Sequence, residues 1–370
     1  MELPSTLAIA AEALRWSVGP LLLSRLSPLP AARSDSEVID VAVVIPARDE
    51  ADNLPPLLQT LDDQRPRAAE VVVVDDASTD NTLSAAGAGG ARVIPAGDFS
   101  RDWLGKPHAC AKGAELTASG TLVFLDADVR LANDDVLGRL AAIVDENQDA
   151  LVTVQPRHAT VRPYEALGAF FVLVSLMGTN AFSFAGRRLK PVAAFGPCLA
   201  TTRRTYSAVG GHSADEVRGS VIDDVALAGR YRAQKRPVIA FAGRDDVVYR
   251  MYPGGARDLI DGWTKNIAAG AAAARPVVLA LIVLWLSGCI TAGWRVIASP
   301  SFPSATVYAA YAVSIGILLR RVGRFPRFTA TLYPIPLAIF LIVFVRATTL
   351  RALGRPVRWK ARKVGGRGQR

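Results

Sequence analysis

Cysteine is scarce in this sequence, which has three cysteines in 370 residues. Cys110, Cys198 and Cys289 lie far apart and are odd in number, so they match neither a zinc site nor the paired framework of a disulfide-rich domain. Few cysteines without such a pattern are typical of a domain that works in the cytoplasm. The N-terminus also lacks the basic segment and cleavage site of a signal peptide, so we expect no cleaved leader.

Acidic residues are missing from the last part of the chain. Between Arg346 and Arg370 there are nine Lys and Arg residues and no Asp or Glu, and the net charge of the whole chain is +10. A basic segment beside apolar segments more often contacts anionic lipid head groups than nucleic acid. No motif with interleaved aromatic residues accompanies it, so RNA binding is the less favoured alternative. We therefore expect a membrane partner and no nucleic-acid partner.

Hydrophobic residues make up 51% of the chain, which is high for a soluble protein. Three C-terminal segments are long enough, or nearly so, to cross the hydrocarbon core of a bilayer, namely residues 276–298, 302–319 and 328–345. An N-terminal stretch at 7–23 is interrupted by Glu12 and Arg15, which predicts an interfacial or weakly spanning anchor helix. A further apolar stretch at 166–181 fits either a core helix or a helix that lies in the membrane interface.

Short apolar runs rich in β-branched residues alternate with helical patterns in the first part of the chain. The runs are residues 41–45, 71–74 and 121–125, and the helical patterns between them are residues 54–61, 81–88 and 108–116. Strands that alternate with helices predict βαβ units and a parallel sheet. The strands are continuously apolar, which is typical of a sheet that is buried on both faces.

Acidic residues follow these strands at the point where each strand ends. The stretch VVVVDDASTDNT places Asp75 and Asp76 directly after four valines, and TLVFLDADVR places Asp126 and Asp128 after the third run. Ligands of open parallel sheets bind beyond the carboxyl ends of the strands. Like charges at one rim are costly unless a cation or hydrogen-bond donors lie among them. A nucleotide bound together with a divalent cation would supply both.

Asp126 and Asp128 are the candidate ligands of that cation. Two carboxylates that lie two residues apart can reach one ion, and oxygen ligands favour Mg²⁺ or Mn²⁺. The alternative is a turn aspartate followed by a helix N-cap, and the same alternative applies to the pair Asp75 and Asp76. Lys106, in WLGKPHACAKG, could meet a diphosphate through charge-assisted hydrogen bonds, or it could be a solvated lysine.

Six motifs in a fixed order resemble those of the family 2 inverting glycosyltransferases. They are IPARDEADNLPPLL, VVVVDDASTDNT, WLGKPHACAKG, VFLDADV, GPCLATTRRTYSAVGGH and VIDDVALAGRYRAQKRPV. The resemblance covers about residues 41–263, with a fainter similarity in the tail segment GRPVRWKAR. The most similar branch is membrane-attached and acts on carotenoids and hopanoids. The resemblance implies the α/β fold called GT-A, in which a mostly parallel, Rossmann-like sheet flanked by helices binds a nucleotide sugar with Mg²⁺ or Mn²⁺.

The resemblance also implies roles for residues at the nucleoside end of the site. Asp76 would bind the nucleoside through uracil or ribose. The base pocket would be lined by the residues that end and follow the first strand, namely Pro46, Ala47, Arg48 and Glu50. Asp49 stands where Asn is common in the family.

At the reacting end, the resemblance assigns the metal ion and the sugar diphosphate to Asp126 and Asp128, with Lys106 close to the diphosphate. Asp224 matches the family's catalytic base. Asp223 precedes it where Glu is usual, a change that keeps the charge.

One family signature is absent. Members that make long polysaccharides carry QxxRW after the base, whereas RDLIDGWTKN contains Trp263 without Gln and Arg at the required spacing. We therefore expect a single transfer rather than chain elongation. Trp263 fits either a wall of the acceptor pocket or a helix residue packed at the membrane interface.

The resemblance and the apolar segments together predict a membrane-bound, inverting hexosyltransferase. UDP-glucose is the leading donor, and the acceptor is expected to be a carotenoid, a hopanoid or another membrane lipid. The catalytic domain should face the cytoplasm, where nucleotide sugars are found. Three alternatives have the same or a similar site: a polyprenyl-phosphate glycosyltransferase, a catalytically silent membrane scaffold, and, less favoured by the apolar C-terminal third, a soluble nucleotidyltransferase.

Four regions follow from these patterns: an anchor or interfacial helix at 1–36, a GT-A domain at 37–274, transmembrane helices at 275–346 and a basic tail at 347–370. Three full crossings would place the basic tail outside, against the positive-inside rule. Pro334 and Pro336 discourage a straight helix in the last apolar segment, which predicts a re-entrant or broken segment. The tail would then lie on the cytoplasmic side, with Trp359 at the interface.

Overall fold

A computed structural model describes residues 5–31, 36–185, 191–355, 357–359 and 362–364. In chain order the elements are α1 (Ser5–Leu22), β1 (Val38–Ala47), α2 (Leu54–Asp62), β2 (Arg67–Asp75), α3 (Thr82–Ala88), β3 (Arg92–Pro95), α4 (Gly105–Glu115), β4 (Thr121–Leu125), β5 (Val129–Leu131), α5 (Val136–Glu146), β6 (Leu151–Gln155), β7 (Arg157–Ala159), α6 (Ala169–Thr179), β8 (Cys198–Thr202), α7 (Arg203–Ala208), α8 (Asp215–Arg218), α9 (Asp223–Ala233), β9 (Val238–Ala242), β10 (Val247–Tyr249), α10 (Ala256–Ala273), α11 (Pro276–Ala298), α12 (Phe302–Val322), β11 (Gly323–Arg324), α13 (Phe328–Thr331), α14 (Pro334–Ala352), β12 (Val357–Trp359) and β13 (Arg362–Val364). Two 3-10 turns, Pro163–Gly168 and Gly211–Ser213, complete the set.

The chain forms two compact units. The sheet unit comprises Ser27–His158 and Ala193–Met251, and the helical unit comprises Met1–Leu26, Ala159–Val192 and Tyr252–Gly366. The sequence predicted a catalytic domain over 37–274, whereas this division places 159–192 and 252–274 with the helices. The physical reason is local packing, because α6 and α10 pack on each other and on α14. The predicted extent of the catalytic domain stays a prediction.

The core of the sheet unit lies on both faces of β1 and its neighbours. Along β1, Val41, Val43 and Ile45 pack in one apolar cluster with α2 and α5, while Ala42 and Val44 pack in a second cluster with α4 and α9. All five side chains are buried. Successive side chains of a strand point to opposite faces, so an uninterrupted apolar run is what two covered faces require. The α/β prediction is confirmed, and the strand predicted at 121–125 has these bounds.

The seven-stranded sheet has the order β3-β2-β1-β4-β8-β6-β9. The pairs β1–β2, β1–β4, β2–β3 and β6–β9 are parallel, and β8 runs antiparallel to both of its neighbours. The chain builds outward from β1 through β2 and β3 on one side, then places β4 on the other side of β1. The strand order therefore reverses between β1 and β4, and such a point is where open α/β sheets form a ligand crevice.

In the helical unit, α1 packs along α11 and α12. Tyr311 donates a hydrogen bond from its hydroxyl to Glu12 at 2.9 Å, and Trp16 donates from Nε1 to the carbonyl of Ala310 at 3.0 Å. Gly19 allows a close approach, because a Cβ there would lie 2.5 Å from Nε1 of Trp285. Of the two charged interruptions of the N-terminal apolar stretch, Glu12 thus has a partner on α12, and Arg15 pairs with Glu12 at 3.8 Å.

Three helices are long and apolar enough to cross a membrane among the residues that the structure describes: Pro276–Ala298, Phe302–Val322 and Pro334–Ala352. The first has the predicted bounds. The segment at 328–345, which was predicted to be re-entrant or broken, is broken: a short helix, α13, is followed by Leu332 and Tyr333 and then by α14. Pro334 and Pro336 lie in the first turn of α14, where a missing N–H costs no intrahelical hydrogen bond, so they permit a helix that begins at Pro334.

The apolar stretch at 166–181 forms α6 together with the preceding 3-10 turn. Seven of its helical residues are buried, as expected of a core helix: Ala169, Phe170, Phe171, Val172, Leu173, Leu176 and Met177. Part of the predicted lipid contact of the basic tail falls on Lys360, Arg367 and Arg370, which lie outside the described residues. The tail's role stays a prediction.

A buried ion pair joins three segments of the sheet unit. Arg139 on α5 donates to both carboxylate oxygens of Asp246, at 2.8 and 2.9 Å, and to the carbonyls of Leu29 and Pro30. Arg139 and Asp246 are each 8% exposed. Breaking a buried pair leaves an uncompensated charge, whereas exposed pairs contribute little.

We predict that Asp246→Asn destabilises the sheet unit by roughly 3–5 kcal/mol, because the Arg139 charge would stay buried with its bidentate partner lost. Thermal unfolding of the purified protein in detergent measures this. The matched control is Asp62→Asn, since Asp62 pairs with Arg67 through side chains that are 63% and 49% exposed. Its effect should be about 1 kcal/mol or less. Equal shifts in the two variants would contradict the role given to the buried pair.

Candidate active site

The loops after β1 and β2 are joined at the carboxyl edge of the sheet. Arg48 donates from Nη1 to the carbonyl of Asp76 at 2.9 Å, and its guanidinium lies 3.5 Å from the Asp76 carboxylate. Asp49 has φ 53° and accepts hydrogen bonds from the backbone N–H and the hydroxyl of Thr79. Asp and Asn tolerate this left-handed conformation better than most residues, which explains why Asp suits a position where Asn is common.

Asp75 and Asp76 are both buried, at 5% and 6% exposure. Asp75 accepts a hydrogen bond from the N–H of Ser78 at 3.3 Å, while its Oδ1 has no hydrogen-bond partner among the described residues. The N–H of Asp76 donates to the carbonyl of Ala47 at 2.8 Å. The two aspartates therefore differ in their surroundings: Asp75 supports the turn, and Asp76 faces the arginine of the neighbouring loop.

Lys106 and Asp126 form the closest ion pair of the crevice, with Nζ 2.7 Å from Oδ1. Burial disfavours the ammonium, but the charges of Asp126 and Asp223 outweigh it and hold the pKa of Lys106 well above its ordinary value. Lys106 lies in the first turn of α4, which begins at Gly105 rather than at the predicted residue 108. A cation in the first turn opposes the helix dipole, so Asp126 compensates for an unfavourable position.

Asp128 follows Asp126 by two residues and is half-buried. Burial lowers the pKa of the nearby Arg130, and the charges of Asp128 and Glu50 oppose that shift. Glu50 also accepts a hydrogen bond from the side chain of Asn53 at 2.7 Å. Three acidic side chains, Glu50, Asp126 and Asp128, thus lie along the crevice with Lys106 and Arg130 among them.

A divalent cation was predicted at Asp126 and Asp128. Within the described ranges, no group of three or more His, Cys, Asp or Glu side chains is arranged to hold a metal ion. The donor set fits an open Mg²⁺ or Mn²⁺ site, in which one or two carboxylates contribute and the phosphates of a ligand and water complete the coordination.

Asp224 lies in the first turn of α9, where the helix dipole favours a carboxylate. Its Oδ2 accepts a hydrogen bond from the N–H of Gly196 at 2.9 Å, and its Oδ1 accepts one from the N–H of Val225 at 2.9 Å. Burial and the adjacent charge of Asp223 raise the pKa of Asp224 to about 6, against the opposing charge of Lys106. Asp224 is therefore ionised at neutral pH, and it is a stronger base than an ordinary aspartate.

Asp223 behaves in the opposite way. Burial alone would raise its pKa, but the charge of Lys106 and the proximity of His212 lower the pKa of Asp223 to about 2. Adjacent carboxylates with separated pKa values can take different roles, and here the first is a fixed charge while the second can exchange a proton.

The predicted site residues divide between the two units. The sheet unit contains all of them except Trp263, and the ends of β1, β2 and β4 bring Arg48, Asp76 and Asp126 to one edge. Pro46 and Ala47 are the last two residues of β1. Trp263 belongs to α10 in the helical unit, where its ring stacks on Phe171 with centroids 5.0 Å apart.

Two residues near Asp224 were not predicted from the sequence. Gly196 allows the backbone to approach the base, because a Cβ there would lie 3.2 Å from both Asp224 Oδ2 and Lys106 Nζ. His212 is fully buried, with Nε2 3.6 Å from Asp223 Oδ2. Both lie in the motif GPCLATTRRTYSAVGGH, so their order in the chain was available, but their contacts depend on the fold.

Comparisons with known proteins agree with this geometry. Residues 42–198 match the model of glycosyl transferase family 2. A 4,4'-diaponeurosporenoate glycosyltransferase of Staphylococcus haemolyticus is 32% identical over 332 residues, which are 87% of this chain and 88% of that protein. The protein of the same name from Staphylococcus aureus (strain bovine RF122) is 31% identical over 371 residues, 98% of each chain.

A comparison with solved structures supports the predicted fold. The mannosyltransferase PcManGT from Pyrobaculum calidifontis, solved in complex with GDP-Man and Mn²⁺, superposes with a TM-score of 0.54 at 19% identity, over 91% of this chain and 95% of that one. At this identity the likeness establishes the fold alone. The predicted GT-A fold and the predicted family are confirmed: this chain is a glycosyltransferase and belongs to glycosyltransferase family 2.

Proposed function

We propose that this enzyme moves a hexose from a uridine diphosphate sugar to a membrane lipid, once per acceptor and with inversion at the anomeric carbon. Glucose is the leading candidate for the sugar. The observation that carries the proposal is the arrangement of Asp76, Lys106, Asp126 and Asp224 in the crevice of the sheet unit. It supplies a nucleoside contact, a cation for a diphosphate and an activated base in one place.

The donor half of the proposal rests on the loops after β1, β2 and β4. Asp76 would hold the nucleoside, beside a base pocket formed by Pro46, Ala47, Arg48 and Glu50. The pKa of Lys106 lies well above its ordinary value, so the side chain stays positively charged, and it lies at the start of α4. It can therefore bind the diphosphate through charge-assisted hydrogen bonds. The mannosyltransferase PcManGT, which has the same fold, was solved in complex with GDP-Man and Mn²⁺.

Asp128 and Asp126 would hold Mg²⁺ or Mn²⁺. When bound, such an ion stabilises the negative charge of a departing diphosphate. Because a diphosphate is already a good leaving group, the chain does not need a second carboxylic acid to protonate it, unlike the paired carboxylates of glycosidases. Lys106 would add a further positive charge on the same side.

Asp224 is the proposed base. The N–H groups of Gly196 and Val225 fix its carboxylate, and its raised pKa suits proton transfer from an acceptor hydroxyl at neutral pH. Attack by that hydroxyl on the anomeric carbon, opposite the diphosphate, forms the new C–O bond as the sugar–phosphate bond breaks. The hydroxyl proton moves to Asp224, and the configuration inverts.

The proposed acceptor is a long apolar lipid. The relatives carry a name that denotes a carboxylate, 4,4'-diaponeurosporenoate, and the helical unit has three helices that could hold the enzyme at a membrane. A carboxylate acceptor is already ionised at neutral pH and needs no base, whereas a hydroxyl does. The raised pKa of Asp224, which suits the removal of a hydroxyl proton, is the reason that we favour a hydroxyl. Trp263 is proposed as an acceptor contact, and the catalytic unit is proposed to face the cytoplasm.

We predict that Asp224→Asn lowers turnover on a hydroxyl acceptor by roughly 10²–10⁴-fold, because the proton acceptor is lost. UDP binding should stay near the wild-type affinity. In the wild type, kcat/KM should rise with pH through about 6, as Asp224 loses its proton, and this rise should disappear in the variant.

The control for this prediction is Asp134→Asn, which makes the same chemical change at an exposed carboxylate of the sheet unit. Turnover is measured with a hydroxyl-bearing carotenoid or hopanoid in detergent. Near wild-type turnover of Asp224→Asn would place the base elsewhere. A small loss with a carboxylate or polyprenyl-phosphate acceptor, beside a large loss with a hydroxyl acceptor, would identify the ionised acceptor as an alternative substrate class.

We predict that UDP binding requires a divalent cation, since Asp126 and Asp128 would otherwise meet the diphosphate as like charges. Isothermal titration calorimetry with UDP should give an affinity at least about tenfold higher in Mn²⁺ than in EDTA, and Asp128→Ala should abolish turnover and remove most of this difference. Asp134→Ala serves as the exposed control. Equal affinity in Mn²⁺ and EDTA would exclude the metal role.

A further inference from the structure

A buried chain of three polar side chains lies behind the proposed base. Tyr206 on α7, His212 in the second 3-10 turn and Asp223 at the start of α9 are 7%, 0% and 6% exposed. Tyr206 Oη lies 2.8 Å from His212 Nδ1, and His212 Nε2 lies 3.6 Å from Asp223 Oδ2. Neither Nε2 nor this Oδ2 has a hydrogen-bond partner within 3.5 Å among the described residues, so at 3.6 Å each is in reach of the other after a small movement.

The hydrogen bonds define which nitrogen of His212 carries the proton. The backbone N–H of His212 donates to Tyr206 Oη at 3.0 Å, so the hydroxyl proton is available for Nδ1. Burial keeps this phenol protonated, because it raises the pKa of Tyr206 well above its ordinary value. Nε2 then carries hydrogen and presents it to the Asp223 carboxylate. The other tautomer would place a nitrogen lone pair against a negative charge.

We propose that Tyr206 and His212 are positioning residues that hold the Asp223 carboxylate in place directly beside Asp224. The proposal rests on Asp224 being the base. A fixed negative charge next to Asp224 makes that carboxylate a better proton acceptor, in the way that two carboxylates of one site separate their proton affinities. His212 therefore acts on the reaction through Asp223, without contact with the substrate.

Several charged or titratable groups face Asp223 from the elements packed around it. They are Lys106 and Cys110 on α4, Asp126 after β4, Tyr206, His212 and Asp224. Lys106 is the largest of the effects that lower the pKa of Asp223, so Asp223 stays charged without His212, and what the loss of His212 changes is the position of that charge relative to Asp224. The expected effect is therefore a shift in pH dependence rather than a complete loss of activity.

The test compares His212→Phe with His212→Gln. Phenylalanine keeps a ring beside Phe124, whose centroid lies 5.0 Å from that of His212, but it has no N–H for Asp223. The glutamine amide can donate a hydrogen bond from about the position of Nε2. In His212→Phe, we expect the rise of kcat/KM with pH, the acid limb of the profile, to move to lower pH by roughly half a unit or more. We also expect a lower plateau of kcat. His212→Gln should keep the limb within error of the wild type.

The UDP affinity of each variant is measured as well, because a wild-type affinity shows that the donor site is still folded. Tyr206→Phe provides a second route, since it removes the hydrogen bond to Nδ1 and leaves the ring of His212 in place. It should move the limb in the same direction by a smaller amount. Unchanged limbs in His212→Phe and Tyr206→Phe, with UDP affinity retained, would overturn the proposal. A limb that persists in Asp224→Asn would instead refute the assignment of the base.

An independent observation concerns the last apolar segment of the helical unit. The chain leaves α12 at Val322 and turns back along that helix. A Cβ on Gly316 would lie 3.3 Å from that of Ala330, and the ring of Tyr308 stacks on Tyr333 with centroids 5.0 Å apart. The segment therefore runs antiparallel to α12 as it goes from Ala330 to Tyr333.

α14 begins far from the start of α11. Pro334 lies beside Gly293 of α11, because a Cβ added to Gly293 would be 3.3 Å from the proline ring. The hydroxyl of Tyr333 donates a hydrogen bond to the carbonyl of Cys289, also on α11, at 3.0 Å. Because an α-helix rises about 1.5 Å per residue, Gly293 lies about 25 Å along the axis of α11 from its first residue, Pro276. The break between α13 and α14 is thus deep in the bundle, where Tyr308 donates a hydrogen bond to the carbonyl of Thr331. Irregular backbone is tolerated at membrane depth when protein covers it.

The later part of α14 packs on α6 and α10, which precede α11 in the chain. Phe340 packs against Phe171 of α6 with centroids 5.2 Å apart, and Arg346 pairs with Asp261 of α10 at 2.9 Å. α10 ends at Ala273, and α11 begins at Pro276. α14 also packs on the 3-10 turn Pro163–Gly168, and Thr160, just before that turn, donates a hydrogen bond to the carbonyl of Arg324, which follows the end of α12. α14 therefore runs from the level of Gly293 back toward the end of α12.

We infer that α13 and α14 form a re-entrant hairpin, which enters the membrane from the side where α11 begins and leaves it on the same side. Arg346, Arg351 and Arg355 then lie on the same side as Arg320 and Arg321 at the end of α12. This arrangement satisfies the positive-inside rule, which three full crossings would violate. The described start of the basic tail, as far as Arg355, is placed on the membrane surface at which α12 ends.

Cysteine accessibility tests this topology in a variant whose three native cysteines are replaced by alanine. Single cysteines are introduced at Ser84 in the sheet unit, at Ser299 between α11 and α12, and at Leu353 after α14, all of which are exposed. Spheroplasts are treated with a membrane-impermeant maleimide before and after permeabilisation. We expect Leu353→Cys to label like Ser84→Cys and opposite to Ser299→Cys. Labelling of Leu353→Cys like Ser299→Cys would mean a full crossing, and identical labelling of all three would mean that α11 does not cross.

Discussion

The pairing of Lys106 with the carboxylates of the crevice is the interaction on which the candidate site depends. Asp126 and Asp223 approach this ammonium from different elements, and Asp224 lies close to it across Gly196. Without a cation, three carboxylates gathered in a largely buried crevice would repel one another and take up protons. With it, Asp126 and Asp223 stay charged, and Asp224 keeps a proton affinity suited to neutral pH.

The sheet makes this arrangement possible because its strand order reverses at β1. The loops after β1, β2 and β4 meet at one edge, and α4 and α9 begin beside that edge. Helix starts favour carboxylates, so Asp223 and Asp224 lie where the helix dipole supports them, whereas Lys106 lies where the dipole opposes it. An unfavourable position that is offset by a specific partner is typical of a functional group.

Much of this could be predicted from the sequence, and the rest could not for identifiable reasons. Uninterrupted runs such as 121–125 indicate strands covered on both faces, because alternating polar residues would otherwise be expected. Carboxylates that directly follow such runs indicate a ligand edge, which is how Asp76 and Asp126 were found. The contact between His212 and Asp223 could not be predicted, since it depends on how a 3-10 turn packs against a helix start. The start of α4 was placed too late because Pro107 suggests a boundary, although proline is tolerated in a first turn.

The central claim is a single-displacement transfer from a UDP sugar to a lipid hydroxyl, and the configuration of the product tests it most directly. The purified enzyme is supplied with UDP-α-glucose and a hydroxyl-bearing lipid fraction. The product is identified by mass spectrometry, purified, and its anomeric configuration is determined by NMR. The account predicts one added hexose per lipid in the β configuration. An α-linked product, several hexoses per lipid, or no lipid product with a donor that the enzyme binds would contradict it.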